Sequence, residues 1–168
     1  MIRPGLARGW LALLLVLPVT AVARSHRDGP SAFTLTPEAA VAMRSLWTAS
    51  IAAKAERVGC LASSVEGDTL RITRVEPLAA MADSLAVSAT ASLETCGPPA
   101  WQGTVHTHIA LAPGRRPYAF FSGADRGIML MWWQRWKHDG TFCLLFTPDQ
   151  AHCEIDGSQV VILPSGRY

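Results

Sequence analysis

Residues 101–140 read WQGTVHTHIALAPGRRPYAFFSGADRGIMLMWWQRWKHDG. The β-branched centre of "WQGTVHTHIAL" predicts a strand. "APGRRP" (112–117) is a loop. From Ser122, "SGADRGIMLMWWQRWKHDG" predicts a helix closed by Gly140. A strand, a loop and a returning helix, followed by more strands, are the parts of an α/β fold. The same stretch holds two histidines one residue apart and an SxxD at the helix start. It poses a choice between a metal site and an ordinary strand and helix cap.

The chain on either side extends the α/β reading. Thr36-Pro37-Glu38 predicts a helix start, with Thr as N-cap, Pro at the first helical position and an acid in the first turn. The helix is expected to run to about Ala55, with Val41, Leu46, Trp47 and Ile51 as its apolar stripe. "RVGCLASSVEGDTLRITRVEPL" (57–78) predicts a β-hairpin around Glu66-Gly67-Asp68. Residues 79–100 read as loop with a short strand near 84–90. "TFCLLF", "HCEID" and "QVVIL" supply the last strands. The expectation is a sheet with a helix packed on each side, over one domain of ordinary size.

The chain has 168 residues, 49% hydrophobic and 17% charged, with formal net charge +2. That composition supports a packed core. No Lys/Arg block suits a phosphate backbone, so nucleic acid is not an expected partner. Arg3 and Arg8 precede an apolar run, Trp10 to Ala23, broken by Pro18. The run is short for a span of roughly 20 apolar residues. It fits a secretory signal peptide over 1–23, with Ala21-Val22-Ala23 as the cleavage site. An uncleaved N-terminal anchor is the alternative. Residues 24–35, broken by Gly29-Pro30, read as a linker, and 36–168 as the domain. The mature protein is then exported, periplasmic or secreted, with no stable membrane insertion.

Export gives meaning to Cys60, Cys96, Cys143 and Cys153. Cys143 and Cys153 flank a turn at Pro148-Asp149 and would face each other across a hairpin. That pairing leaves Cys60 with Cys96; four buried thiols are the other possibility. The spacings contain no CxxC pair, which disfavours a cysteine zinc cluster.

His106 and His108, at i and i+2 on a strand, leave the same face and can converge on one ion. A catalytic zinc takes three protein ligands and keeps one position open. Asp125, in the first turn of the following helix, is the candidate third ligand. Ser122 is that helix's N-cap, and S-x-x-D is also a capping pattern in its own right. Hydrolysis needs a carboxylate that is not a ligand. Glu56, between the first helix and the hairpin, is the candidate, with Glu66, Glu76, Glu94 and Glu154 as competitors.

Glu56 followed by "RVGCL", then "HTH", then "SGAD" opening a helix resembles the JAMM (MPN+/JAB) metalloprotease pattern over roughly residues 36–160. The resemblance implies a JAB/MPN-like, cytidine-deaminase-like domain: a mixed β-sheet flanked by helices. It implies Zn2+ held by His106, His108 and Asp125, with Glu56 as general acid/base and Ser122 as oxyanion donor. It implies hydrolysis of a peptide or isopeptide bond in a peptide or protein substrate. A non-catalytic metal- or protein-binding module of the same fold is the alternative. Ile109 stands where the family usually has proline, and the loop 109–121 is longer than usual. Arg115 and Arg116 in that loop are expected to be solvated or to meet a substrate carboxylate.

In the second helix, Ile128, Trp132 and Trp136 share a face and are expected in the core. Trp133 and Met129 fall off that stripe. His138 ends the helix, and His26 and His152 have no evident partner.

Overall fold

The computed structural model describes residues 29–79, 91–110 and 114–168. The expected signal peptide and the expected strand near 84–90 lie outside these residues. No helix among the described residues is long and apolar enough to cross a membrane.

The fold is mixed α/β. In chain order it comprises β1 (Ala32–Leu35), α1 (Pro37–Ala53), β2 (Val58–Glu66), β3 (Thr69–Pro77), β4 (Gly103–Thr107), α2 (Gly123–Trp136), β5 (Gly140–Thr147), β6 (Gln150–Asp156), β7 (Val161–Ile162) and β8 (Gly166–Arg167). The sheet order is β1-β3-β2-β4-β5-β6-β7, with β8 also on β6. β2 and β3 form the expected hairpin, in which Glu66 pairs with Thr69. The turn needs Gly67, whose φ is +63°, because a two-residue hairpin turn calls for positive φ. The stretch read as linker gives its last four residues to the sheet: β1 pairs in parallel with β3. Within the stretch read as loop, residues 91–95 are helical.

β4 lies mid-sheet, antiparallel to β2 and parallel to β5. With α2 between them, β4 and β5 form a β-α-β crossover. Such a crossover starts its helix near the carboxyl end of the first strand, the usual place for a site in an open α/β sheet.

Alternation along the strands separates two cores. On one face, Val105, Cys143 and Leu145 meet Met43 and Leu46 of α1, with Leu61 and Ile72. On the other, Phe142 and Leu144 meet Met129 and Trp132 of α2, with Phe121 and Leu93. Histidines 106 and 108 share the parity of Phe142's cross-strand partner Thr104 and so belong to the α2 face. Both pairings of the cysteines are as expected: Cys60–Cys96 and Cys143–Cys153 are disulfides. Cys143 stands opposite Cys153 in the β5–β6 register.

Three helical details correct the sequence reading. The buried face of α1 is Ala39, Ala40, Met43, Leu46 and Ser50, while Val41 and Ile51 are 57% and 51% exposed. Leu46 is buried and Trp47 packs on the core as expected; small side chains fill the rest of the face and let the helix approach the sheet closely. α2 ends at Trp136, with Lys137 in the left-handed cap position; Gly140 instead opens β5. Met129, off the expected stripe, is buried beside Trp132.

Candidate metal centre

The five residues singled out from sequence line one cavity: Glu56, His106, His108, Ser122 and Asp125. His106 is near the end of β4. His108 lies one residue past it, but its N–H still donates to the Leu145 carbonyl at 2.8 Å. That bond keeps the extended alternation through both histidines, so their rings meet on the α2 face.

The two Nε2 atoms are 3.2 Å apart. Asp125 Oδ1 is 3.4 Å from His106 Nε2, and Asp125 Oδ2 is 3.5 Å from His108 Nε2. Neighbouring donors around a tetrahedral zinc with bonds of about 2.0–2.1 Å stand about 3.3–3.4 Å apart. The donor set is therefore of the right chemistry and spacing, and the three residues form a group able to hold a metal ion. The side chains of His106, His108 and Asp125 are 14%, 11% and 21% exposed, so the group is largely dry yet reachable.

Hydrogen bonds fix which atoms face inward. His108 Nδ1 lies 2.9 Å from the Tyr118 carbonyl, to which only a protonated Nδ1 can donate. In neutral His108 the lone pair is then on Nε2, aimed at Asp125 and His106. A backbone carbonyl on the outer nitrogen is the usual orienting partner of a metal-binding histidine. With His106 Nε2 and an Asp125 oxygen close by, three donor atoms converge where an ion or a shared proton can sit.

Asp125 is both cap and candidate ligand. Ser122 and Asp125 form a capping box: Ser122 N–H donates to Asp125 Oδ2 at 2.6 Å, and Asp125 N–H donates to Ser122 Oγ at 3.2 Å. Oδ1 is left to face His106. The Ser122 side chain also hydrogen-bonds the Asp125 carboxylate and helps to keep it ionised. Burial works against ionisation of Asp125, but the two histidines outweigh it and hold the carboxyl well below the usual carboxylate range. Burial likewise opposes charge on His108, while Asp125 and the Tyr118 carbonyl overcome it and raise its pKa. Glu56 behaves differently. Burial raises its pKa, His108 and His106 pull it back, and the net shift is upward. A carboxylate raised in this way suits proton transfer nearer neutral pH.

The Glu56 backbone is held by residues the sequence reading did not select. Thr107, between the two histidines, points to the opposite face and is fully buried. Its Oγ1 accepts from Arg57 N–H at 2.9 Å and lies 2.6 Å from Ser50 Oγ. Ser50 Oγ in turn donates to the Ala55 carbonyl at 2.5 Å. Glu56 thus sits between two pinned neighbours. The signal was available: period two sends Thr107 away from the histidines and toward α1.

A second network also escaped notice. Glu154, 1% exposed, accepts from Arg126 through both carboxylate oxygens, and His152 Nε2 lies 2.8 Å away. His152 Nδ1 lies 3.0 Å from Ser165 Oγ. Phe121 separates this network from the site, its ring 5.6 Å from His106 and 5.7 Å from His152. Of the competing acids, Glu154 is committed here and Glu66 pairs with Arg71. Arg115 and Arg116 are exposed. No protein-family model matches the chain, and no curated protein matches it.

Proposed function

We propose that the protein is an exported zinc-dependent hydrolase of peptide or isopeptide bonds, built on a JAMM-type (JAB/MPN-like) domain. One observation carries the reading: two imidazole nitrogens and a carboxylate at zinc-like spacing, with a non-ligand glutamate of raised pKa in the same cavity. Zinc bound there would lower the pKa of water toward about 7 and polarise a substrate carbonyl. His106, His108 and Asp125 would hold the ion. Glu56 takes a proton from the attacking water and delivers it to the departing nitrogen. Ser122 would turn its hydroxyl hydrogen from the Asp125 carboxylate to the carbonyl oxygen as negative charge builds there. The two disulfides support export to an oxidising compartment.

The test is metal content and turnover together. The purified chain is expected to carry one zinc, lost in His106→Ala. Glu56→Gln is expected to keep zinc and lose about 10²–10⁴-fold in cleavage of a peptide library. Chelation abolishes cleavage and zinc restores it. Unchanged zinc in His106→Ala overturns the site. A Glu56→Gln protein that behaves like the parent in every assay reduces the domain to a metal- or protein-binding module.

A further inference from the structure

The cavity at the metal centre measures about 780 Å³. That is far more room than one ion, one water and a peptide carbonyl occupy, and it falls in the range of pockets that enclose a sizeable ligand. Its chemistry is uneven. Glu56, His106, His108, Ser122 and Asp125 supply most of its polar groups, with Ser92 and Thr104. Elsewhere the walls are chiefly apolar: Val58 from β2, Phe121 before α2, Ile128 and Met129 from α2, and Phe142 from β5. These come from four parts of the chain, so the apolar lining is not the property of one element.

Among the described residues lining the cavity, the three candidate ligands and Glu56 are the only charged or titratable groups apart from Tyr118. No Lys or Arg is among them. The guanidinium of Arg126, next to Asp125 in the chain, is held by Glu154 and Asp156. Away from the ion, a substrate carboxylate in this space would be desolvated with no Lys or Arg to meet it, which is unfavourable. A substrate ammonium would find only carboxylates already assigned to the ion and to proton transfer. An aliphatic or aromatic group meets no such cost and gains by leaving water.

We propose that this cavity receives a bulky apolar side chain next to the bond being cut. The preferred substrates are then peptide or isopeptide bonds flanked by a large aliphatic or aromatic residue. The inference rests on the metal-centre reading, so its test separates the two.

Three hydroxamates share one metal-binding group and differ in the group attached to it: acetohydroxamate, 3-phenylpropanohydroxamate and the monohydroxamate of succinate. Each is titrated calorimetrically into the zinc-loaded full chain and into metal-free protein. With zinc, the phenyl compound is expected to bind at least about tenfold more tightly than acetohydroxamate. The succinate compound is expected to bind no more tightly than acetohydroxamate. Ile128→Trp, which adds bulk at the cavity wall, is expected to keep its zinc and to lose the phenyl advantage. Val58→Trp tests the same space from β2.

If acetohydroxamate binds in a zinc-dependent way and the phenyl group adds less than about twofold, the inference falls and the metal centre stands. The inference falls equally if both tryptophan variants fold and keep the full phenyl advantage. If the chain takes no zinc, or no hydroxamate binds the loaded protein, the metal reading fails and this inference fails with it.

Discussion

Thr107 shows how a residue can shape the site without facing it. Its hydroxyl accepts from Arg57 N–H, and because Ser50 gives its own hydrogen to Ala55, Thr107 must donate to Ser50. Thr107→Val keeps the shape and removes both bonds. The Arg57 amide and Ser50 oxygen are left wanting, at a cost of about 1–3 kcal/mol in denaturant melts. Zinc content is expected to stay at the parent level, since neither histidine is touched. Cleavage is expected to drop about 10–100-fold from misplacement of Glu56. Thr107→Ser keeps the hydroxyl and should recover most of the rate. A stability loss without the rate loss would make the chain of bonds purely structural. The three candidate ligands and Glu56 were legible because their chemistry is written in residue types in a recognisable order. Thr107 and Ser50 were not, since Thr and Ser occur everywhere and their meeting depends on α1 lying against β4.

At the level of elements, α2 has to bring its first turn to the end of β4. The capping box orders that turn, and Arg126 ties it to β6 through Glu154. Phe121 fills the space between, with the Arg126 guanidinium 5.5 Å from its ring centre. Glu154→Gln leaves Arg126 facing a neutral amide, with Asp156 at 3.5 Å as its remaining carboxylate. Removing one partner of a buried pair costs about 3–5 kcal/mol; the low end is expected because the Arg126 side chain is 39% exposed. Zinc affinity should weaken as well, through the looser placement of Asp125, while Asp125 itself is unaltered. The pH dependence has a definite sign. Burial pushes the Glu154 pKa up, but Arg126 and His152 win and it is lowered below its ordinary 4.5. A depressed carboxylate contributes stability that is complete above the unfolded-state value and lost as pH falls through the folded one. Urea midpoints measured downward from pH 6 should therefore fall below pH 4.5 in the parent, and fall less in Glu154→Gln. Equal slopes in the two proteins would remove Glu154 from the acid response. Of these elements, the hairpin, β4, α2 and the strands β5 to β7 could be read locally from turns, caps and β-branched runs. The α1 face could not, because Ala39, Ala40 and Ser50 carry little hydrophobic signal. Nor could β1, a four-residue strand beside a Gly-Pro break, which exists only because β3 offers an edge.

For the molecule as a whole, the order of strands was the least legible property. Neighbours in the sheet such as β2 and β4 are far apart in sequence, and composition does not encode which edges meet. The disulfides make the consequence measurable, because they brace opposite sides of that sheet. Cys143–Cys153 lies in the core beneath α1 and closes a sequence separation of 10. Cys60–Cys96 packs with Trp101 and closes a separation of 36. It tethers the segment whose Ser92 lines the cavity and whose Leu93 packs with α2. Chain entropy alone makes the longer closure worth about 4 kcal/mol and the shorter about 3 kcal/mol. The paired replacement Cys60→Ala with Cys96→Ala should therefore be the more destabilising in denaturant melts. It should also weaken hydroxamate binding to the zinc-loaded protein, because one side of the cavity loses its anchor. Cys143→Ala with Cys153→Ala should lower stability and leave that binding near the parent value, since the change lies across the sheet from the cavity. The comparison uses two readouts on each variant, so general loosening is distinguishable from local damage. If the two pairs weaken binding equally, the separation of the molecule into a bracing face and a working face is wrong.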